Sequence, residues 1–385
     1  MMGHCMVTRR TLLKAGVLGA CTLCLGHKIT SWAEDVYTPE ILQGINQGFP
    51  VKEAMYYKKL EDLRVECELC PRKCTIADME RGYCGVRENR GGTYYTLVHS
   101  RVCALNVDPI EKKPLFHYLP GIKAYSLATA GCNVECKFCQ NWQISQYRPE
   151  QIESIRLAPE DVVKNAKTNG CKAIAFTYSE PVVFYEYMYD IVQLAKDHGL
   201  KSVMISNGYI REKPLTELCR NLNAVKIDLK GFSEKFYRET CSGELKPVLD
   251  TLQTLKKLGI WFEIVVLVVP TLNDMEKEFR DMCLWIKENL GVDVPIHFTR
   301  FHPTYKLKNL PPTSVKTIEM ARKIALDTGL RFPYVGNVPG HEGENTYCPH
   351  CQHAVIKRAG FSIIENRLKD NACMDCKQPM PGVWM

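Results

Sequence analysis

The sequence predicts an α/β protein: six strand–helix units in one parallel layer, with a small cysteine-rich unit before it and another after it. Three observations carry this expectation. Short apolar runs alternate with helical stretches from about residue 124 onward. The helices open on proline or a capping residue and stop at glycine. Of the nineteen cysteines, most of those outside mixed or apolar runs fall into three tight groups.

The first segment stands apart from this fold. Residues 1–33 carry Arg9, Arg10, Lys14 and Lys28 and no acid, so they hold four units of the net charge of +7. Thr8-Arg9-Arg10-Thr11-Leu12-Leu13-Lys14 precedes an apolar run from Ala15 to Gly26, and Ser31-Trp32-Ala33 offers a small-x-small cleavage pattern. The pattern resembles a twin-arginine export signal, which implies passage of a folded chain to the periplasm or cell envelope. The run is too short to span a bilayer. Leu18-Gly19-Ala20-Cys21 resembles a lipid-attachment box. A retained N-terminus and a cytoplasmic protein are the alternative. The remaining charge of +3 gives no case for nucleic acid, and 45% hydrophobic with 24% charged residues is ordinary for a soluble globular chain.

Residues 34–120 are expected to form a linker and a four-cysteine unit, with at most one helix in the 34–66 stretch. Cys67, Cys70, Cys74 and Cys84 follow at spacings that one metal or cluster requires and that disulfides do not. Zinc and an auxiliary iron–sulfur cluster both fit this spacing, in a structural or auxiliary rather than a second catalytic role.

Residues 121–339 hold the alternating core. The expected strands are Ala124–Ala130, Ala173–Tyr178, Ser202–Ser206, Ala224–Leu229, Trp261–Val269 and Ile296–Phe301. They are nearly all apolar, as parallel strands covered on both faces must be. Helices are expected over Pro181–His198, Pro247–Leu258 and, from a capping Thr313, Thr313–Thr328. Glycine follows each of them, at Gly199, Gly259 and Gly329. Six such units make an open parallel sheet or an incomplete barrel, and either places the active site at the C-terminal ends of the strands.

Residues 340–385 hold Cys348-x2-Cys351 and Cys373-x2-Cys376, the spacing of a zinc ribbon or a rubredoxin-like knuckle pair. Four thiolates close a site, so a structural or redox role is expected of the zinc or iron there. The unit has too little apolar sequence for its own core. Lys357 and Arg358 are too few to argue nucleic-acid binding.

The chemistry is concentrated in Gly131-Cys132-Asn133-Val134-Glu135-Cys136-Lys137-Phe138-Cys139-Gln140, directly after the first core strand. Three cysteines ligate three irons of a cubane cluster and leave the fourth open, whereas a cluster that only carries electrons normally has four. This loop resembles the signature of the radical S-adenosylmethionine (SAM) superfamily. Its extension through Gln140-Asn141-Trp142, with Cys67 to Cys74, Asp108 to Tyr118, Thr177 to Pro181, Ser206 to Tyr209 and Asp228 to Gly231, resembles the radical enzyme of the AmmeMemoRadiSam system. That branch lies near the pyruvate formate-lyase activating enzymes.

The resemblance implies an incomplete six-stranded parallel β/α barrel. It implies a 4Fe-4S cluster on Cys132, Cys136 and Cys139 and reductive cleavage of SAM to methionine and a 5′-deoxyadenosyl radical, which abstracts hydrogen from a substrate the sequence does not name. Phe138 is implied at the adenine. Glu180 is implied at the methionyl amino group, in a segment where the superfamily's two glycines are replaced by Tyr178 and Ser179. Ser206 and Asn207 are implied near the ribose, and Asp228, Lys230 and His302 at further strand ends. The implied partners are a one-electron donor such as flavodoxin or ferredoxin and a Memo-family protein. A glycyl-radical activase acting on a protein, or a non-catalytic iron–sulfur electron carrier, are the alternatives.

Overall fold

The computed structural model describes residues 49–384. The Arg9-Arg10 segment and the cleavage pattern therefore lie outside the described residues. No helix among the described residues is long and apolar enough to cross a membrane.

The core is an eight-stranded sheet built from β1 (Ala104–Pro109), β2 (Lys123–Ala128), β3 (Ala173–Phe176), β4 (Lys201–Ser206), β5 (Ala224–Asp228), β6 (Trp261–Val268), β7 (Ile296–Arg300) and β8 (Pro333–Gly336). Neighbours in the sheet are neighbours in sequence, from β1 at one edge to β8 at the other. The β1–β2 pair is antiparallel, with Ala104 opposite Ala128, and every later pair is parallel. Strand order that never reverses, joined by right-handed crossovers, puts all the helices on one face and makes the sheet curl around the other. This selects the barrel-like layout over the doubly wound one. It also corrects the expected six strands: a seventh parallel strand and an antiparallel edge strand flank them. β8 has four residues and begins with proline, which suits a sheet edge and carries little sequence signal.

The helices are α1 (Pro159–Thr168), α2 (Tyr185–Asp197), α3 (Glu212–Cys219), α4 (Leu245–Leu258), α5 (Glu276–Asn289) and α6 (Val315–Thr328). Pro181 opens a 3-10 turn, Pro181–Phe184, that leads into α2. Gly259 and Gly329 end α4 and α6 with φ of 69° and 101°, the left-handed region that glycine enters without a Cβ penalty. The cap of α6 is Ser314, whose Oγ accepts from the Thr317 amide at 3.1 Å. Thr313 is buried instead and accepts from the Phe301 amide at 3.0 Å, correcting the expected cap.

Residues 50–96 form short strands; of the 34–66 stretch expected to be a linker with at most one helix, only 49–66 is among the described residues, and it holds strands and turns. Lys52–Glu53, Arg87–Arg90 and Thr93–Thr96 make one antiparallel sheet, and Tyr57–Lys59, Val65–Cys67 and Thr75–Ile76 another. Strands of two to four residues are too short to show a period of two.

The inner face of the early strands is lined by small side chains, among them Ala124, Ala173, Ala175 and Ala224, which pack on Ile110, Leu115, Tyr118 and Ile122. Alanines leave room for this 110–122 segment to fill the N-terminal end of the layer. The last unit adds β9 (Thr346–Tyr347), β10 (Ala354–Ala359) and β11 (Ser362–Asn366). Its apolar cluster is shared: Val355, Ile356 and Met380 pack with Phe116, Phe332 and Tyr334. Val383 continues this attachment, donating to the His117 carbonyl at 2.8 Å and accepting from the Leu119 amide at 2.7 Å.

Candidate active site

The cluster loop leaves β2 through Gly131, whose φ is +99°. A Cβ there would meet Val86 at 2.6 Å and the Cys84 carbonyl at 2.9 Å, so only glycine allows the four-cysteine unit to seat against the loop. Arg72 reinforces the contact by donating to the Asn133 carbonyl at 2.5 Å. Asn133 is buried and donates to the Tyr209 carbonyl at 2.7 Å, while its Oδ1 accepts from Asn207 Nδ2 at 2.9 Å. The same Asn207 amide lies 3.8 Å from Cys132 Sγ. The loop's far side is held by Glu135 and Lys137, whose amides donate to the Cys241 and Thr240 carbonyls at 2.9 Å each.

Strand ends converge beside this loop. Glu180 is 3% exposed; its Oε1 accepts from Ser206 Oγ at 2.6 Å and the Val182 amide at 3.1 Å, and its Oε2 accepts from the Asn207 amide at 2.8 Å. Burial raises its carboxyl above the ordinary value, only partly offset by these bonds. A carboxylate has about four acceptor positions, so one remains for a ligand donor. Asp228 lies between two lysines, bonded to Lys226 Nζ and, at 2.9 Å, to Lys230 Nζ. Burial pushes its carboxyl up, but the two ammonium groups outweigh that and hold it down at about 2. Lys230 also acts electrostatically on Cys136 and Cys241.

The expected residues do not all meet. Glu180, Ser206, Asn207, Asp228 and Lys230 gather near the three cysteines. Phe138 is buried and stacks on Phe236 at 6.0 Å between ring centroids. His302 is exposed and makes none of these contacts. Sequence reasoning missed Lys226, buried within an apolar strand, and Cys241. Cys241 is buried beside Cys136 and holds the latter's pKa down, while burial pushes Cys132 up. No spacing marks Cys241, which reaches Cys136 only through the fold. At the replaced glycines, Tyr178 adopts a left-handed φ of +66°, and Ser179 Oγ donates to the Thr129 carbonyl at 2.7 Å.

The cysteine groups differ in arrangement. Among the described residues, Cys348, Cys351, Cys373 and Cys376 form the group whose ligand atoms all lie within 4.8 Å of one another. Their closest sulfurs are 3.5 Å (Cys348 and Cys376) and 3.7 Å (Cys351 and Cys373) apart. Four sulfurs about 2.3 Å from one ion stand about 3.8 Å apart, so this group fits a single zinc or iron. Gln352 and Lys377, at φ of 63° and 62°, turn the two knuckles alike. Cys132, Cys136 and Cys139 stand along one loop, an arrangement that suits thiolates on separate irons of one cluster.

A strand-end rim of buried charge around a loop of three thiolates is the site of a metal-cofactor enzyme. The family comparison agrees: the Radical SAM superfamily model matches residues 126–283, from mid-β2 into α5. The chain is 46% identical over 328 residues to the uncharacterized protein MJ0808 of Methanocaldococcus jannaschii, covering 85% of this chain and 98% of that one. It is 22% identical to the pyruvate formate-lyase-activating enzyme of Clostridium pasteurianum, across 50% of this chain and 84% of the relative. A radical SAM methyltransferase from Sphaerobacter thermophilus aligns in structure with a TM-score of 0.45 and 13% identity, over 58% of this chain and 70% of that one. The chain belongs to the radical SAM superfamily and is an enzyme.

Proposed function

We propose that this chain is the radical enzyme of an AmmeMemoRadiSam-type system, and that Cys132, Cys136 and Cys139 hold the catalytic 4Fe-4S cluster. The observation that carries the reading is the three-thiolate loop at the end of β2, beside a buried carboxylate with no cation bonded to it. The cluster, when bound with SAM, supplies one-electron cleavage of a sulfonium and a carbon radical that takes hydrogen from the substrate. The chain's own residues do the rest. Glu180 receives the cofactor's amino group, Asn207 donates beside Cys132, and the Asp228–Lys230 pair presents donors and acceptors at the next strand ends. Phe138, packed on Phe236, supports the adenine. A flavodoxin or ferredoxin is the expected electron donor and a Memo-family protein the expected partner. The test is Cys136→Ala: anaerobically reconstituted and reduced with dithionite, it stays folded and forms no 5′-deoxyadenosine. Product equal to the parent's overturns the reading.

Asp228-Leu229-Lys230 and the likeness to an activating enzyme favour a second reading, a glycyl-radical activase with a protein substrate. Gly-to-radical conversion of a partner, followed by its electron paramagnetic resonance signal, separates the two. The Arg9-Arg10 segment supports export of the folded chain. Replacing both arginines with lysine should then retain it in the cytoplasm, and a parent that is itself cytoplasmic and uncleaved refutes export.

A further inference from the structure

The four cysteines before the barrel take no part in the chemistry above, yet they line one cavity with Arg87 and Asn133. We propose that Cys67, Cys70, Cys74 and Cys84 hold a second iron–sulfur cluster, with the Arg87 guanidinium as its buried hydrogen-bonding counter-ion.

Three observations support this over a zinc ion. First, the setting of the sulfurs. Cys67, Cys70, Cys74 and Cys84 all line one cavity, whereas the ligand atoms of the C-terminal four all lie within 4.8 Å of one another. Second, Arg87 is 1% exposed and lines the cavity, and its Nε and Nη1 have no hydrogen-bond partner. Only its Nη2 is engaged, with Glu186 and with the Met55 carbonyl at 3.3 Å. Buried N–H groups of a cation are costly to leave unpaired. A cluster brings bridging sulfides as well as thiolates, and these accept such donors; a lone ion brings no acceptor of its own. Third, Leu69, Val182 and Val183 give the cavity an apolar side, which shields a cluster from water there.

The position gives the cluster a use. Arg72 lies between Cys70 and Cys74 and bonds the Asn133 carbonyl, one residue from Cys132. The second cluster thus sits against the loop of the first.

The experiment uses the full chain with Cys132, Cys136 and Cys139 all replaced by alanine, so it is independent of SAM cleavage. After anaerobic reconstitution, iron, zinc and acid-labile sulfide are measured. Retained labile sulfide, lost when Cys70→Ala and Cys84→Ala are added, is the expected result. A single iron at the C-terminal knuckles brings no sulfide and cannot mimic it. Zinc without sulfide in the triple variant overturns the proposal. If that variant does not fold, Mössbauer counting on the parent decides: about eight clustered irons are expected from two cubanes and about four from one. Arg87→Lys, which keeps the charge but loses the planar donor fork, should shift the second cluster's midpoint potential; an unmoved potential removes Arg87 from the proposal.

Discussion

Glu180 and Glu263 are both buried glutamates of the same sheet, and they have opposite surroundings. Glu180 lies at the C-terminal rim, held by one hydroxyl and two backbone amides, with no cation in hydrogen-bond contact. Glu263 lies near the N-terminal end of β6. It accepts from His297 Nε2 at 2.8 Å, the Phe116 amide at 3.0 Å and the His117 amide at 2.8 Å. Burial raises both carboxyls; at Glu180 that effect wins, whereas at Glu263 the His297 imidazole outweighs it and lowers the pKa. The lower end is closed further. His117 Nε2 meets the Tyr334 hydroxyl at 2.5 Å, that hydroxyl meets Thr346 Oγ1 at 2.8 Å, and Arg358 reaches Thr346 and the Phe116 carbonyl. The difference teaches how to sort buried charge: shared among donors from several elements, it ties them together, and at a rim beside the cysteine loop with acceptor capacity left over, it waits for a ligand.

The largest effect should come from the closed end. Glu263 is the shared acceptor of several buried donors, and each one left unpaired costs about 1–3 kcal/mol. Glu263→Gln, which turns an NH2 toward them, should lower unfolding stability by at least about that much, while leaving SAM affinity intact in the protein that folds. Denaturant titration measures the first and calorimetry the second. A stable Glu263→Gln with weakened SAM binding would reverse the assignment of the two ends.

At the rim the expectation inverts. Glu180→Gln keeps the side chain's volume and removes its charge. Hydrogen bonds to charged groups are worth about 1.5–3 kcal/mol, so SAM affinity should fall roughly ten- to a hundredfold. Cluster absorbance should stay close to the parent's. Parent-like affinity would show that Glu180 only caps the Pro181–Phe184 turn, through its bond to the Val182 amide.

The two ends were not equally legible in the sequence. The six core strands are found within two residues of their expected bounds, because parallel strands buried on both faces read as continuous apolar runs. β1 alternates polar and apolar residues, and β8 is four residues long, so neither stood out. The rim residues could be named because they follow strand ends in strings that resemble a known family. Glu263 could not. It is a single acid inside Trp-Phe-Glu-Ile-Val-Val-Leu-Val, and its amide partners lie more than a hundred residues earlier. Cys241 was hidden for the same reason: its partner is chosen by topology, not by spacing.

Tyr178 gives the comparison its finest test, because its backbone belongs to the rim and its side chain does not. The residue holds a left-handed φ of +66° where the resembled family has glycine, a strain of roughly 1 kcal/mol for a residue with a Cβ. Its hydroxyl donates to Asp108, and Lys113 Nζ lies 4.6 Å from its ring centre. Asp108 is also bonded to Lys112 at 2.9 Å and to Lys113, so removing the hydroxyl leaves no bare charge. Tyr178→Phe keeps the ring over the ammonium and loses one hydrogen bond, which is worth about 1 kcal/mol. The expected outcome is a stability loss of that size with SAM affinity unchanged, the behaviour of the closed end. An affinity loss with unchanged stability would instead make the phenol part of the rim, and would mean that the Asp108–Lys113 pair below it serves the cofactor rather than the fold.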